Sequence, residues 1–316
     1  MDKEIFMWVI FALLSAFFAG ITAVLSKVGI KNVNSDLGTA IRTIVVFVFA
    51  WLMVFVVDVW GGIMFITSKT LIFLVLSGLA TGASWLCYFK ALRLGDVNKV
   101  ASIDKSSTVL TMILAFIFLG EKITILKGIC IILIGLGTYM MIEKRESDEK
   151  TGKNTEWLVW AILSAVFAAL TSVLGKIGIS DIDSTLGTAI RTFVVLIMSW
   201  IVVCVSKSQS GIKNITLRTL VFLVLSGIAT GLSWMCYYKA LQDGQASVVV
   251  PIDKLSILVT IAFSYIVLGE RLTKKSFCGL ALLVCGTLLL LVKKNSNQND
   301  SFACNITERI KEACVM

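Results

Sequence analysis

The sequence predicts an all-α membrane protein with ten transmembrane helices, arranged as two inverted five-helix repeats. Three observations lead to this prediction: the composition, the length of the apolar runs and an internal repeat. Hydrophobic residues make up 57% of the 316 residues, charged residues make up 16%, and the mean hydropathy is +0.91. A soluble domain cannot bury so much apolar surface, so the lipid bilayer is the expected partner and solvent.

The apolar runs are about 20 residues long and do not alternate, which is the pattern of helices that cross roughly 30 Å of hydrocarbon. Since no water reaches that depth, each segment must satisfy its backbone polar groups internally, as a helix does. The predicted spans are 5–30, 37–57, 70–91, 97–119, 123–142, 156–179, 186–206, 218–241, 246–268 and 273–292.

The chain contains the same five-helix unit twice. The segment LSAFFAGITAVLSKVGI, which begins at Leu14, recurs at Leu163 as LSAVFAALTSVLGKIGI, an offset of 149 residues (163 − 14). The same offset relates the segments that begin at Leu74 and Leu223, where 15 of 19 positions are identical. Such self-similarity defines the structural unit of the fold. The predicted organisation is repeat 1 at 1–142, a polar linker at 143–156, repeat 2 at 157–292 and a polar tail at 293–316.

The two repeats should lie in the membrane in opposite orientations. Each repeat has an odd number of spans and the linker is short, so the second repeat enters the membrane upside down relative to the first. A pseudo-two-fold axis then lies in the membrane plane, an arrangement on which alternating access is commonly built. We therefore expect one shared central cavity and not two separate ones.

The charged and sulfur-containing residues exclude several functional classes. The formal net charge is +9, but the basic residues stand singly near span ends, where they anchor a membrane protein and predict no nucleic-acid partner. Histidine is absent and no CxxC pair occurs, so we expect no metal and no other cofactor. The sequence has no HExxH, GxSxG or paired-acid motif and predicts no enzyme, although a membrane enzyme or a scaffold stays the alternative from another class.

Three motifs give the chain a resemblance to a known family. LGE followed by a basic residue and, two positions on, by Thr occurs at Leu119–Thr124 and Leu268–Thr273. SWLCYFKAL and SWMCYYKAL end the third span of each repeat, and PIDKLS opens the ninth span. With these segments the chain resembles the drug/metabolite transporter superfamily, specifically its ten-helix members with two EamA domains. One departure is Ser102 in repeat 1, where repeat 2 has Pro251.

The resemblance implies ten helices around a central cavity and secondary transport of a small-molecule substrate, often an amino acid. It also implies cytoplasmic termini, whereas the loop Lys and Arg residues would place the termini outside by the positive-inside rule. The expected location is the inner (plasma) membrane of a bacterial-type cell, as a monomer or homodimer. No ATP-binding loop is present, so protons or a counter-substrate would drive transport.

Ionisable residues inside the spans are the first candidates for substrate binding or coupling, because such groups cost several kcal/mol in a membrane. Asp104 and Asp253 lie about six residues into their spans. Each carboxylate is either a proton or substrate-ammonium site or half of a structural ion pair with one of four lysines: Lys105, Lys254, Lys27 and Lys176. Neighbouring residues on a helix point about 100° apart, so Asp104 and Lys105 cannot both face one partner.

Further candidates have two open interpretations each. Lys27 and Lys176 follow a face of small residues at four-residue spacing, and they either point into the bundle or snorkel to the interface. Arg42 and Arg191 occupy identical LGTAIRT segments, where a permanently charged guanidinium either holds a substrate carboxylate or snorkels.

Aromatic and acidic residues complete the set of candidates. Two aromatic pairs follow GxxxG segments and are either interface anchors or cavity walls: Trp85 with Tyr88, and Trp234 with Tyr237. Glu121 and Glu270, in the LGE motifs, are predicted to act in capping or pairing.

The leading functional prediction is secondary transport of a small polar metabolite by alternating access between the repeats. Each repeat places three cations and one anion near its core, namely Lys27, Arg42, Lys105 and Asp104 in repeat 1, which favours a carboxylate-bearing solute such as an amino acid. The alternative is proton-coupled export of lipophilic cations, as in the four-helix small multidrug exporters. Those proteins need an acid in the first helix, and 5–30 contains none.

Overall fold

The computed structural model describes residues 3–29, 33–94, 100, 103–104, 106–122, 124–141, 156–268 and 273–291. Within these ranges the secondary structure is helical and no strand occurs. The predicted tail at 293–316 lies outside the described residues, as does the predicted linker at 143–156 except for Glu156.

Repeat 1 begins with three long helices and ends with two shorter ones. A short 3₁₀ helix at Trp60–Phe65 connects the second helix to the third, and residues 100, 103 and 104 are helical ahead of the fourth. The helices are α1 (Lys3–Gly29), α2 (Ser35–Val56), α3 (Ser68–Leu94), α4 (Ser107–Phe118) and α5 (Ile125–Met140).

Repeat 2 follows the same order. A 3₁₀ helix at Ser208–Asn214 occupies the place of the one in repeat 1. The helices are α6 (Glu156–Gly178), α7 (Ser184–Val205), α8 (Leu217–Asp243), α9 (Ala246–Asp253), α10 (Ser256–Leu268) and α11 (Lys274–Leu291). Across the described chain, eight helical stretches are long and apolar enough to cross a membrane, and α4 and α5 are shorter apolar helices. The ten-helix prediction is confirmed.

The predicted ninth span consists of two helices, because the chain is not α-helical at Lys254 and Leu255. Pro251 lies three residues before Lys254 and has no backbone N–H, so it cannot donate the α-helical bond to the carbonyl oxygen of Ser247. The amide of Leu255 bonds the carbonyl of Ile252 at 2.9 Å, which is a tighter turn than an α-helix makes. The break therefore brings Asp253 and Lys254 to the end of α9 and the turn that follows it.

The helices of the two repeats pack in exchanged pairs. Helix α1 packs along α8, its counterpart α6 packs along α3, and α2 packs along α7. This exchange is what a pseudo-two-fold axis between inverted repeats requires, since the first helix of each repeat contacts the third helix of the other.

Glycines permit the closest crossings between the repeats. A Cβ atom added at Gly78 would lie 2.7 Å from Cβ of Val194, and one added at Gly227 would lie 2.6 Å from Cβ of Val45. These two contacts are equivalent under the 149-residue offset. Gly82 and Gly231, four residues on, make the next equivalent pair of close contacts. The two GxxxG segments thus act as close-packing surfaces between membrane helices.

Candidate functional site

A cavity of about 280 Å³ lies between the two repeats. Repeat 1 lines it with α1, the fourth span and α5, and repeat 2 lines it with the turn after α9, α10 and α11. Among the predicted site residues, Asp104 and Lys254 line this cavity, one from each repeat. Its other polar lining consists of hydroxyl groups: Ser107, Thr108, Thr138, Ser256 and Thr260.

Several of these lining side chains come from the start of the fourth span and from α1. Asp104 lies ahead of α4, and Ser107 and Thr108 lie in its first turn, after a 3.0 Å hydrogen bond from the amide of Ser106 to the carbonyl oxygen of Ile103. Ala19 and Ala23 line the cavity from the small-residue face of α1. Since alanine projects only a methyl group, this face leaves space between α1 and the fourth span.

The two predicted carboxylates are bound across the interface between the repeats. The hydroxyl of Ser164 in repeat 2 donates to Oδ1 of Asp104 at 3.0 Å. The hydroxyl of Ser15 in repeat 1 donates to Oδ1 of Asp253 at 2.6 Å. Each aspartate of one repeat is therefore held by the first helix of the other.

These serines are themselves fixed by a third helix. The hydroxyl of Ser233 donates to the carbonyl oxygen of Ser15 at 3.1 Å, and that of Ser84 donates to the carbonyl oxygen of Ser164 at 3.0 Å. All four serines are buried. The first and third helices that pack in exchanged pairs are thus joined by equivalent polar contacts beside both carboxylates.

The predicted lysines have different environments. The Lys176 ammonium donates to the carbonyl oxygen of Leu241 at 2.7 Å and to that of Gly244, at the end of α8. These carbonyls have lost their intrahelical partners at the helix terminus, so Lys176 caps α8 and does not pair with Asp253. Lys254 is exposed in the cavity lining. The side chains of Lys27 and Lys105 lie outside the part of the chain that the structure describes.

The two predicted arginines also differ. Arg191 is 3% exposed, and it donates from Nε to Ser77 at 3.0 Å and from Nη2 to Thr81 at 2.6 Å. It lies within the bundle against α3, so it does not snorkel. Arg42 is only half-buried and donates from Nη1 to the hydroxyl of Ser26 at 2.6 Å.

None of the four aromatic candidates is among the residues that line the cavity with Asp104. Trp234 places its ring centroid 5.0 Å from the guanidinium carbon of Arg191. The hydroxyl of Tyr237 donates to Ser172 at 2.8 Å. Trp85 and Tyr88, their counterparts in repeat 1, are half-buried.

Glu121 makes a contact between the repeats. The sequence predicted that this residue acts in capping or pairing, but it did not predict which helix it contacts. Oε1 of Glu121 accepts from the amide of Ala246 at 2.7 Å, and Oε2 accepts from the amide and the hydroxyl of Ser247. The predicted capping role of Glu121 is confirmed, and the capped helix is α9 of the other repeat. The equivalent Glu270 lies outside the described residues.

Lys127 takes part in the same contact, and sequence reasoning did not single it out. Its ammonium lies 3.9 Å from Oε2 of Glu121 and donates to Gln245 at 3.2 Å and to Ser247 at 3.0 Å. The position equivalent to Lys127 in repeat 2 is Ser276, so the repeat itself gives no signal for this cation.

Comparison with known proteins identifies the family. The model of the EamA-like transporter family matches residues 6–143 and 155–292. The chain belongs to the EamA-like transporter family. Family and fold together make this EamA-like transporter an integral membrane protein, and they point to transport rather than catalysis.

Individual relatives agree with this membership. An uncharacterized transporter in the cobO 3' region of a Sinorhizobium species is 45% identical over 136 residues, which are 43% of this chain and 96% of that protein. The uncharacterized transporter YxxF of Bacillus subtilis (strain 168) is 25% identical over 219 residues, 68% of each protein. One crystal structure has a TM-score of 0.69 at 14% identity, covering 90% of this chain and 96% of the other, and it supports the fold alone.

The length of the Sinorhizobium relative bears on the duplication. The 136 matched residues are close to the 149-residue repeat offset, and they cover nearly all of that protein. The relative therefore matches a stretch of this EamA-like transporter about as long as one of its two repeats.

Proposed function

We propose that this EamA-like transporter is a secondary transporter of a small zwitterionic or carboxylate-bearing metabolite, with amino acids as the leading substrate class. The observation that carries the proposal is that Asp104 and Lys254, contributed by opposite repeats, line the same cavity. The proposed location is the inner (plasma) membrane of a bacterial-type cell.

The charges and hydroxyls of the cavity match the groups of an amino acid. Asp104 offers an acceptor for an ammonium group, and Lys254 offers a cation for a carboxylate. Charge pairing is stronger in such a site than in bulk water, because the effective dielectric constant is lower. Serine and threonine hydroxyls, which donate and accept, would bind the remaining polar atoms of the solute.

The size of the cavity favours a small solute. Pockets for drug-sized ligands span roughly 300–1,000 Å³, and this cavity has about 280 Å³. A large lipophilic cation would fit it poorly, and the first span contains no acid of the kind that the small multidrug exporters need. Both observations favour the metabolite over the lipophilic cation.

Alternating access would follow from the placement of the two charges on different repeats. When one repeat rocks against the other, the distance between Asp104 and Lys254 changes, and both ends of a bound solute are affected together. Coupling to protons would use the cavity carboxylate, which Ser164 holds from the other repeat. Exchange against a counter-substrate would use the same site in turn.

The proposal is tested first by a thermal-shift screen of the purified protein against amino acids, nucleosides and organic acids. Compounds that stabilise the protein are then assayed for uptake into proteoliposomes under a proton gradient or with counter-substrate inside. We expect Asp104→Asn and Lys254→Gln to lower uptake by about 10-fold or more, since each removes a charged contact of about 1.5–3 kcal/mol.

Lys239→Gln provides the matched control. Lys239 pairs with Asp243 on the surface of α8, 3.3 Å apart, so the variant removes one positive charge away from the cavity. It should transport like the wild type. The proposal fails if no compound of these classes moves under either gradient. It also fails if the two cavity variants transport as well as the Lys239 control.

A further inference from the structure

Arg191 is a buried cation, and in the described part of the chain its hydrogen-bond acceptors and its ring contacts are neutral groups. Its hydrogen-bond acceptors are the hydroxyls of Ser77 and Thr81 on α3. The rings of Trp234 and Tyr238 lie 5.0 Å from its guanidinium carbon. The third nitrogen, Nη1, is buried and has no hydrogen-bond partner.

Repeat 1 shows how the equivalent nitrogen is satisfied. Arg42 donates from Nη1 to Ser26 at 2.6 Å. The residue equivalent to Ser26 in repeat 2 is Gly175, which has no side chain to accept the bond. The Ser-to-Gly difference between the repeats thus removes the acceptor at Arg191 and keeps it at Arg42.

The space that a side chain would occupy at Gly175 belongs to the surroundings of Arg191. A Cβ atom there would lie 2.6 Å from Cε1 of Tyr238 and 3.1 Å from the hydroxyl oxygen of Ser77. Tyr238 replaces Phe89 of repeat 1, so both differences between the repeats fall beside the same guanidinium. The repeats also differ at other positions of these segments, such as Ala23 and Ser172, but these two differences both lie beside Arg191.

A buried guanidinium that contacts only hydroxyl groups and aromatic rings would be stabilised by a negative partner. Arginine stays protonated even when it is buried, and an uncompensated charge inside a membrane protein costs several kcal/mol. The hydroxyls of Ser77 and Thr81 donate their own hydrogens to the carbonyl oxygens of Thr171 and Ser77, so they present lone pairs to Arg191 but no net charge. Aromatic rings stabilise a cation only in part.

We propose that Arg191 binds a small monovalent anion, a halide ion or a carboxylate group, at a site between α3, α7 and α8. Nη1 supplies the free donor, and a single negative charge matches the single positive charge of the guanidinium. The residues of this site are distinct from those that line the cavity with Asp104 and Lys254. The anion site therefore stands whether or not the cavity carries an amino acid.

The test measures thermal stability of the purified protein in detergent, exchanged into sodium methanesulfonate. Sodium bromide and sodium acetate are titrated separately at constant ionic strength, so that one arm reports a halide and the other a carboxylate. We expect a saturable rise in Tm of at least about 2 °C in one arm or both, because a ligand that binds only the folded state stabilises it. The anion that raises the Tm at the lower concentration, bromide or acetate, is the preferred ligand.

Two variants locate the effect. Arg191→Gln removes the charge and should abolish the rise, whereas Arg42→Gln, the equivalent change in repeat 1, should keep it. The double variant Gly175→Ser/Tyr238→Phe introduces the pair found in repeat 1 and provides an acceptor for Nη1, and the ring at position 238 must move because its Cε1 lies 2.6 Å from the added Cβ. It should also lose the response, and it decides the question if Arg191→Gln does not fold.

The proposal is overturned if neither bromide nor acetate raises the Tm of the wild type. It is also overturned if the Arg191→Gln variant, or the double variant, responds as the wild type does. Because the readout is protein stability in detergent, a failure of the transport proposal in liposomes would leave this result unchanged.

Discussion

The hydroxyl of Ser15 donates a 2.6 Å hydrogen bond to Asp253, so the first helix of repeat 1 holds the carboxylate of repeat 2. The equivalent bond from Ser164 to Asp104 measures 3.0 Å. Hydrogen bonds to charged groups contribute about 1.5–3 kcal/mol, more than bonds between neutral groups. The two bonds thus stabilise the interface between the repeats and orient both carboxylates.

Replacing these serines should weaken the interface. Ser15→Ala and Ser164→Ala are each expected to lower the free energy of unfolding by about 1.5–3 kcal/mol, because each leaves a carboxylate without its hydroxyl donor. Thermal denaturation in detergent measures the effect. Ser180→Ala is the matched control, since Ser180 makes an exposed bond within its own turn and should change stability by less than about 0.5 kcal/mol. Equal losses in the three variants would contradict the assignment.

Glu121 should stabilise α9 through both its bonds and its charge. Glu121→Gln keeps the side-chain length and an acceptor but removes the negative charge at the N-terminus of α9, where the helix dipole favours an anion. We expect a loss of about 0.5–2 kcal/mol in the free energy of unfolding, the range measured for helix caps.

The control for Glu121 is Asp243→Asn, which removes an acid from the exposed pair with Lys239. Surface pairs one helical turn apart contribute about 0.3–0.5 kcal/mol. A Glu121→Gln variant no less stable than the Asp243→Asn variant would show that the cap between the repeats contributes nothing.

Sequence patterns predicted which residues lie at the interface between the repeats better than they predicted which residues these contact. The LGE motif predicted an acid that acts in capping or pairing, and the charge inside the spans predicted Asp104 and Asp253 as candidate site residues. The sequence could not reveal that Glu121 caps α9 or that Asp253 accepts a hydrogen bond from Ser15. Both contacts depend on how the inverted repeats pack against each other. The first helix of each repeat packs on the third helix of the other, and spacing along the chain does not reveal this exchange.

Other features depended on contacts that no periodicity encodes. The approach of Lys176 to the end of α8 requires that the helix carbonyls of Leu241 and Gly244 stand within reach of the ammonium. The missing acceptor at Nη1 of Arg191 corresponds to a glycine at position 175, where repeat 1 has Ser26. A residue-by-residue comparison of the two repeats, which pairs Ser26 with Gly175, contains that signal.

Filling the cavity from α1 should block ligand binding without unfolding the protein. Ala23 is exposed and lines the cavity, so a leucine there would extend into the space opposite Asp104. We expect Ala23→Leu to abolish the thermal shift caused by a ligand found in the metabolite screen. Ala23→Ser, the control, adds a single atom and should keep it. A ligand-induced shift that persists in Ala23→Leu would mean that the ligand binds elsewhere.

The crossing of α8 over α2 should tolerate no side chain at Gly227, because an added Cβ would lie 2.6 Å from Cβ of Val45 and 3.0 Å from the carbonyl oxygen of Arg42. Neither atom is the flexible end of a long side chain, so the helices themselves would have to separate. We expect Gly227→Ala to lower the free energy of unfolding by about 1–3 kcal/mol, as overpacking does. Thermal denaturation in detergent would measure the loss.

Gly128→Ala separates packing from helix propensity. A Cβ atom at Gly128, also within a helix, meets nothing within 4 Å, so alanine there should stabilise α5 by about 0.5–1 kcal/mol relative to glycine. The same substitution is thus predicted to raise the free energy of unfolding at Gly128 and to lower it at Gly227. Val45→Ala combined with Gly227→Ala should recover part of the loss, because it removes the Cγ1 contact at 2.8 Å and keeps the Cβ contact. If Gly227→Ala were instead as stabilising as Gly128→Ala, α2 and α8 would not cross at this distance, and the exchanged packing of the repeats would have to be revised there.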